Sequence, residues 1–106
     1  MVINHIGTNN SILNKFIAEI RDEAIQKDSL RFRRNIERIG EILGYEFSKS
    51  IDYVPQAVKT PLGIKNIQIP AKKIVICSIL RAGLPLHQGL LNYFDDAENG
   101  FISAYR

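Results

Sequence analysis

The run Lys73-Ile74-Val75-Ile76-Cys77-Ser78-Ile79-Leu80-Arg81-Ala82-Gly83-Leu84 constrains the fold of this chain most, because an apolar stretch passes without a break into an arginine and a glycine. Apolar or small residues at every position from Ile74 to Ile79 predict a strand, from about Lys73 to Ile79, covered on both faces. Gly83 supplies backbone freedom for a sharp exit. At the start of the helix after Leu84, outward backbone N–H groups and the helix dipole favour an anion. Arg81 adds a planar fork of donors suited to phosphate oxygens. The segment therefore predicts a site for a phosphorylated small molecule, although an arginine at an ordinary strand-to-helix corner would look the same in isolation.

The rest of the carboxyl-terminal segment bears on that choice. Leu84, Leu86, Leu90, Leu91 and Phe94 can supply the buried side of the helix, and Pro85 is acceptable in its first turn. Asp95 to Gly100 breaks the pattern, and Phe101 to Tyr105 reads as a second strand, with a connection long enough for a right-handed crossover to a parallel neighbour. Arg81 and Arg106 would then both stand at carboxyl ends of strands, where ligands bind in open α/β sheets. With strands about 5 Å apart, two long guanidinium side chains can converge on a pyrophosphate. Arg106, taken singly, also reads as a surface charge at a chain end.

Upstream, Ile12, Leu13, Phe16, Ile17, Ile20 and Ala24 form one apolar stripe and predict a helix over residues 11–25, with Asn10 or Ser11 as its cap. After the polar link Gln26-Lys27-Asp28, Ser29 can cap a second helix whose Phe32, Ile36, Ile39, Leu43 and Phe47 share a face. Gly40 on that helix permits close approach of another backbone. The period then changes. Tyr53 to Val58 and Ile64 to Ile69 flank Thr60-Pro61-Leu62-Gly63, and Pro at the second and Gly at the fourth turn position favour reversal. Pro55 belongs on an edge or bulge, so the hairpin, residues 51–69, reads as an arm outside the main sheet.

At 106 residues the chain can form one small domain. Its apolar runs are too short for a membrane span, and Met1 to Asn10 lacks the features of a signal peptide, which predicts a cytoplasmic protein and no membrane partner. Cys77, the single cysteine, has no partner for a disulfide or metal site and is expected to pack in the strand. A net charge of +3 suits an anionic ligand or none in particular. Arg31, Arg33, Arg34 and Arg38 alternate with Glu37 and Glu41 at helical spacing, which predicts a solvated face rather than a nucleic-acid surface. His87 lies a turn into a helix and His5 near a terminus, so neither is favoured as an acid or base.

ILRAGL, followed by Gly89 and later by Tyr105-Arg106, resembles uracil phosphoribosyltransferase. Phe32-Arg33 and Ile39-Gly40-Glu41-Ile42-Leu43-Gly44-Tyr45-Glu46 resemble that family's second helix, and Thr60-Pro61-Leu62-Gly63 its hairpin turn. The resemblance implies an α/β fold: two N-terminal helices, a hairpin arm, and in residues 72–106 the first β-α-β unit of a parallel-sheet core. Residues 1–106 would be the N-terminal part of one such domain, without the family's Thr-Gly-Gly ribose 5-phosphate loop or its uracil site. It further implies a reaction of uracil with phosphoribosyl pyrophosphate to UMP and pyrophosphate, as in pyrimidine salvage, with Arg81, Ala82, Gly83 and Arg106 binding phosphoribosyl pyrophosphate. Mg2+ is implied as cofactor, with ligands outside this chain, and the arm implies a homodimer or larger assembly. Pro85, His87 and Gln88 depart from the commoner bacterial pattern. A chain truncated in this way is expected to be inactive alone; the alternative is a non-catalytic scaffold for RNA binding or protein association.

Overall fold

The protein is described here by a computed structural model that covers residues 3–104. In chain order it places α1 (Leu13–Arg21), α2 (Ser29–Ser48), the hairpin strands β1 (Tyr53–Thr60) and β2 (Gly63–Pro70), then β3 (Val75–Leu80), α3 (Leu84–Leu91) and β4 (Glu98–Ser103). Short 3-10 turns occur at Ile6–Thr8 and Ile25–Lys27. The fold is α/β and partial: one two-stranded antiparallel sheet and one two-stranded parallel sheet, with three helices.

α1 is shorter than the apolar stripe predicts. Ser11 rather than Asn10 helps its start, its Oγ accepting from the Leu13 N–H at 3.2 Å. It ends at Arg21 because the Asp22 carboxylate accepts from the N–H groups of Ala24 and Ile25 at 2.8 and 3.2 Å, offering the backbone a turn in place of another helical residue. Ala24 consequently lies outside the helix and is exposed. The cap of α2 is likewise Asp28, not Ser29, since its side chain accepts from the Arg31 N–H at 3.1 Å.

α1 packs on α2 through a polar contact as well as an apolar one. Asn35 is fully buried, donates from Nδ2 to Glu19 Oε2 at 2.6 Å, and accepts from Arg38 Nη1 at 3.0 Å. The Arg38 guanidinium in turn lies 5.4 Å from the Phe16 ring centroid. That hydrogen bond from Asn35, followed by the charge of Arg31, holds the Glu19 carboxyl below the usual glutamate range.

α2 also packs against α3, and here the expectation for Gly40 holds: a Cβ at Gly40 would come within 2.6 Å of the Leu86 carbonyl oxygen. Gly89 answers from the other helix, where a Cβ would collide with the Glu37 carbonyl. Two facing glycines bring the backbones together, and Phe47 and Phe94 close one end edge to face at 6.2 Å. Leu84, expected on the buried side of α3, is exposed instead.

The hairpin has the predicted form. Thr60 pairs with Gly63 across Pro61 and Leu62, and Gly63 has φ +134°, a conformation that L side chains rarely adopt. The Thr60 hydroxyl fixes the turn by donating to the Gly63 carbonyl at 2.6 Å. Pro55 lies opposite Gln68 in a ladder separate from β3–β4.

β3 and β4 are parallel, in register from Val75 opposite Glu98 to Leu80 opposite Ser103. β4 begins at Glu98, so Glu98-Asn99-Gly100 is strand where its polar composition predicts a break; pairing with β3 overrides local propensity. β3 is covered on one face only. Ile76 is buried beneath α3, whereas Val75, Cys77 and Ile79 point the other way and are exposed. The expectations of two covered faces and of a packed Cys77 are thereby corrected: no helix among the described residues lies over the second face.

Candidate functional site

The residues between β3 and α3 form the site. Leu80 ends the strand, Arg81 and Ala82 turn the chain, and Gly83 opens the helix. The Leu80–Arg81 peptide bond is cis. Gly83 has φ −74° and ψ −10°, ordinary helical values, so the expected conformational reason for a glycine does not apply. Its reason is space. A Cβ there would come within 2.8 Å of the Ile79 carbonyl oxygen and 3.2 Å of Ser78 Cβ, while the Gly83 N–H donates to that same carbonyl at 3.0 Å. Glycine lets the helix start fold back tightly onto the strand end.

The turn leaves donors exposed. Gly83 and Leu84 use their N–H groups internally, the latter donating to the Arg81 carbonyl at 3.1 Å. Among the described residues, the N–H groups of Arg81 and Ala82 have no hydrogen-bond partner. Arg81 and Ala82 are both solvent-exposed, and the Arg81 guanidinium takes part in no ion pair among the described residues. An uncommitted guanidinium beside two uncommitted amides at a helix N-terminus can receive an anion with several oxygens. Arg81, Ala82 and Gly83 are thus brought together. Arg106 lies outside the described residues.

Ser78 and Asn99 carry no role in the sequence reading. The Ser78 hydroxyl is buried directly beneath the turn and has no hydrogen-bond partner among the described residues. A small polar residue interrupting an apolar run was the available signal. Asn99, on β4, holds His87: Nε2 and Asn99 Oδ1 are 2.6 Å apart, and the imidazole stacks on Phe101 at 5.1 Å. His87 is 4% exposed and packed, consistent with its low rank as an acid or base.

Most of the basic face of α2 is committed elsewhere. Arg31 pairs with Glu19 and Asp28 at 3.7 and 3.9 Å, and Arg34 pairs with Glu37 at 3.6 Å. Among the described residues, no cluster of three or more His, Cys, Asp or Glu side chains is placed to hold a metal ion, and no helix is long and apolar enough to cross a membrane.

A family profile for uracil phosphoribosyltransferase matches residues 7–106. The chain belongs to the uracil phosphoribosyltransferase family. A uracil phosphoribosyltransferase of Porphyromonas gingivalis is 54% identical over 106 residues, covering all of this chain and 49% of the relative. One from Sulfolobus acidocaldarius is 40% identical over 98 residues, 90% of this chain and 44% of that protein. Among solved structures, the AQ2163 protein from Aquifex aeolicus superimposes with a TM-score of 0.72 at 28% identity, covering 88% of this chain and 44% of that one. The chain therefore spans about half the length of the uracil phosphoribosyltransferases it matches.

Proposed function

We propose that this chain carries the pyrophosphate-holding part of a uracil phosphoribosyltransferase site and does not turn over substrate alone. The observation that supports this most is the Arg81-Ala82-Gly83 turn at the carboxyl end of β3, whose Arg81 and Ala82 amides and Arg81 guanidinium have no partner among the described residues, in a chain of this family. When uracil displaces pyrophosphate from phosphoribosyl pyrophosphate, a carbon–nitrogen bond forms at the anomeric carbon as the carbon–oxygen bond to pyrophosphate breaks. Positive charge develops on the ribose and negative charge on the departing group. Preoriented donors aimed at those oxygens stabilise the second charge without reorganisation at the moment of reaction. Arg81 and the amides of Arg81 and Ala82 are suited to this role, and Arg106 is the second guanidinium the family resemblance assigns to it.

Mg2+, if it accompanies the pyrophosphate, would neutralise charge on the same oxygens. The described residues offer it no cluster of ligands, and no step is assigned to it. Holding the ribose phosphate and the base is assigned to the half of the family's length that these 106 residues do not match, and catalysis depends on fixing both reactants together. The non-catalytic RNA-binding reading has less support, because Arg31, Arg34 and Arg38 already have intramolecular partners.

The test is direct. Incubation of the purified chain with uracil, phosphoribosyl pyrophosphate and Mg2+ is expected to give no UMP, whereas pyrophosphate titration is expected to move amide resonances from Ser78 to Leu84 with affinity in the millimolar range, about 4 kcal/mol. UMP formation by the chain alone, or unmoved resonances at saturating pyrophosphate, would overturn the proposal.

A further inference from the structure

α3 has little of its own to hold its first turn. It is eight residues long, Gly83 at its start offers no side-chain cap, Pro85 brings no N–H, and Leu84 is 44% exposed. The Gly40–Gly89 crossing fixes the side of the helix that faces α2. The side that faces the sheet is held by His87. Its N–H donates to the Gly83 carbonyl at 2.9 Å, and its ring is buried against β4, with Nε2 2.6 Å from Asn99 Oδ1 and the Phe101 ring stacked at 5.1 Å and 21°. An amide oxygen can only accept, so Nε2 carries the proton and donates. Nδ1 is buried without a partner among the described residues, which leaves Asn99 as the polar anchor of the ring. The ladder carries this contact beneath the anion turn: Asn99 lies opposite Ile76 and Phe101 opposite Ser78, whose Cβ is 3.2 Å from where a Cβ on Gly83 would stand.

We propose that His87 and Asn99 are positioning residues, a clamp that fixes the Arg81–Gly83 turn relative to β4, the strand that runs on to Arg106 in the sequence. An anion site built on backbone amides gains affinity when those amides are already aimed. A first helical turn free to fray from the sheet would scatter the Arg81 and Ala82 N–H groups, and the anion would have to order them. A hydrogen bond from a buried, stacked ring sets both distance and angle, which an apolar side chain in its place would not. The value of the clamp to catalysis rests on the reading of the turn as a pyrophosphate holder; its existence does not.

The first measurement needs neither a variant nor an anion. In the unaltered chain, imidazole nitrogen resonances are expected to show His87 as the Nε2–H tautomer, with that proton slow to exchange with water. An Nδ1–H tautomer would put no donor on Asn99 and would overturn the proposal. Asn99→Leu keeps the size and removes the acceptor, whereas Asn99→Asp keeps the acceptor. Asn99→Leu is expected to speed hydrogen exchange at the Gly83, Leu84 and His87 amides about tenfold, as loss of one buried hydrogen bond does to a local opening. Exchange in α2 and in the hairpin should stay unchanged, and Asn99→Asp should restore slow exchange at the turn. Asn99→Leu is also expected to need about threefold more pyrophosphate to half-shift the Arg81 and Ala82 resonances. Exchange at the three amides unchanged in Asn99→Leu, raised equally across α2 and the hairpin, or as fast in Asn99→Asp, would overturn the clamp. Should Asn99→Leu unfold, the tautomer and the exchange of the Nε2 proton in the unaltered chain decide. An unaltered chain whose resonances ignore pyrophosphate would sink the reading of the turn and leave the tautomer and exchange results to decide the clamp. Equal pyrophosphate responses from the unaltered chain and Asn99→Leu would sink the clamp alone.

Discussion

Arg81 and Gly83 are neighbours on one turn, yet they should respond to substitution in opposite ways. Arg81 is exposed and has no ion-pair partner among the described residues, so its loss leaves nothing buried and unpaired there. In a complete family member assembled around this chain, Arg81→Ala is expected to lower kcat/KM for phosphoribosyl pyrophosphate by about 100-fold or more, the range for removal of one preoriented donor. Its melting temperature should move by no more than about 2 °C. Arg81→Lys should recover only part of the loss, because an ammonium cannot reproduce the planar fork. Gly83→Ala is a packing change: its Cβ would meet the Ile79 carbonyl at 2.8 Å. Urea unfolding should show a loss of about 1–3 kcal/mol, the usual cost of overpacking. The presence of this glycine was legible in the sequence and its reason was not, since close approach of a strand end to a helix start is a tertiary fact. The same holds for Ser78 and Asn99, whose surroundings come from residues distant in the chain.

At the scale of elements, what sequence revealed depended on how local the determining forces are. The hairpin turn was legible because Pro61 and Gly63 act on their own backbone. The end of α1 was not, because it depends on the side chain of Asp22 competing for amides two and three residues on. The start of β4 was hidden for a third reason: Glu98 and Asn99 are held extended by Val75 and Ile76 across the ladder. The α1–α2 contact gives an element-scale test. Because the Glu19 carboxyl is held below its ordinary range by Asn35, its folded pKa is depressed, and the stability it contributes is present above the unfolded value, about 4.3 for glutamate. That contribution is lost as the pH falls through the folded value. Glu19→Gln is expected to flatten the loss of urea midpoint as the pH falls below the ordinary glutamate range, and an unchanged slope would show that α1 docks without help from this carboxylate. For α2 and α3, Gly40→Ala should cost about 1–3 kcal/mol, since neither helix backbone can move away from a 2.6 Å approach without parting from the other.

Across the whole molecule, burial and shape agree. The buried apolar residues are Leu13, Ile76 and Ala97 among those described, a small core for a chain of this size. The radius of gyration is 17.0 Å, against about 13 Å for a compact domain of similar length, and the extents are 54 × 33 × 33 Å. Part of that excess comes from the hairpin, which forms its own sheet and is exposed along most of its length. Its register places Val54, Val58, Ile67 and Ile69 on one face, with Gln56 and Lys65 between them. Exposed apolar strand faces of this kind are covered in stable proteins, and a two-stranded hairpin is marginal in water by itself. The arm is therefore where contact between copies is expected. Sedimentation at low micromolar concentration is expected to show a homodimer or larger assembly. Ile67→Lys, which puts a charge in the middle of the hairpin's apolar face, is expected to shift it to monomer. A compact monomer from the unaltered chain would mean that the arm is satisfied alone. A dimer that ignores Ile67→Lys would move the contact off the hairpin's apolar face.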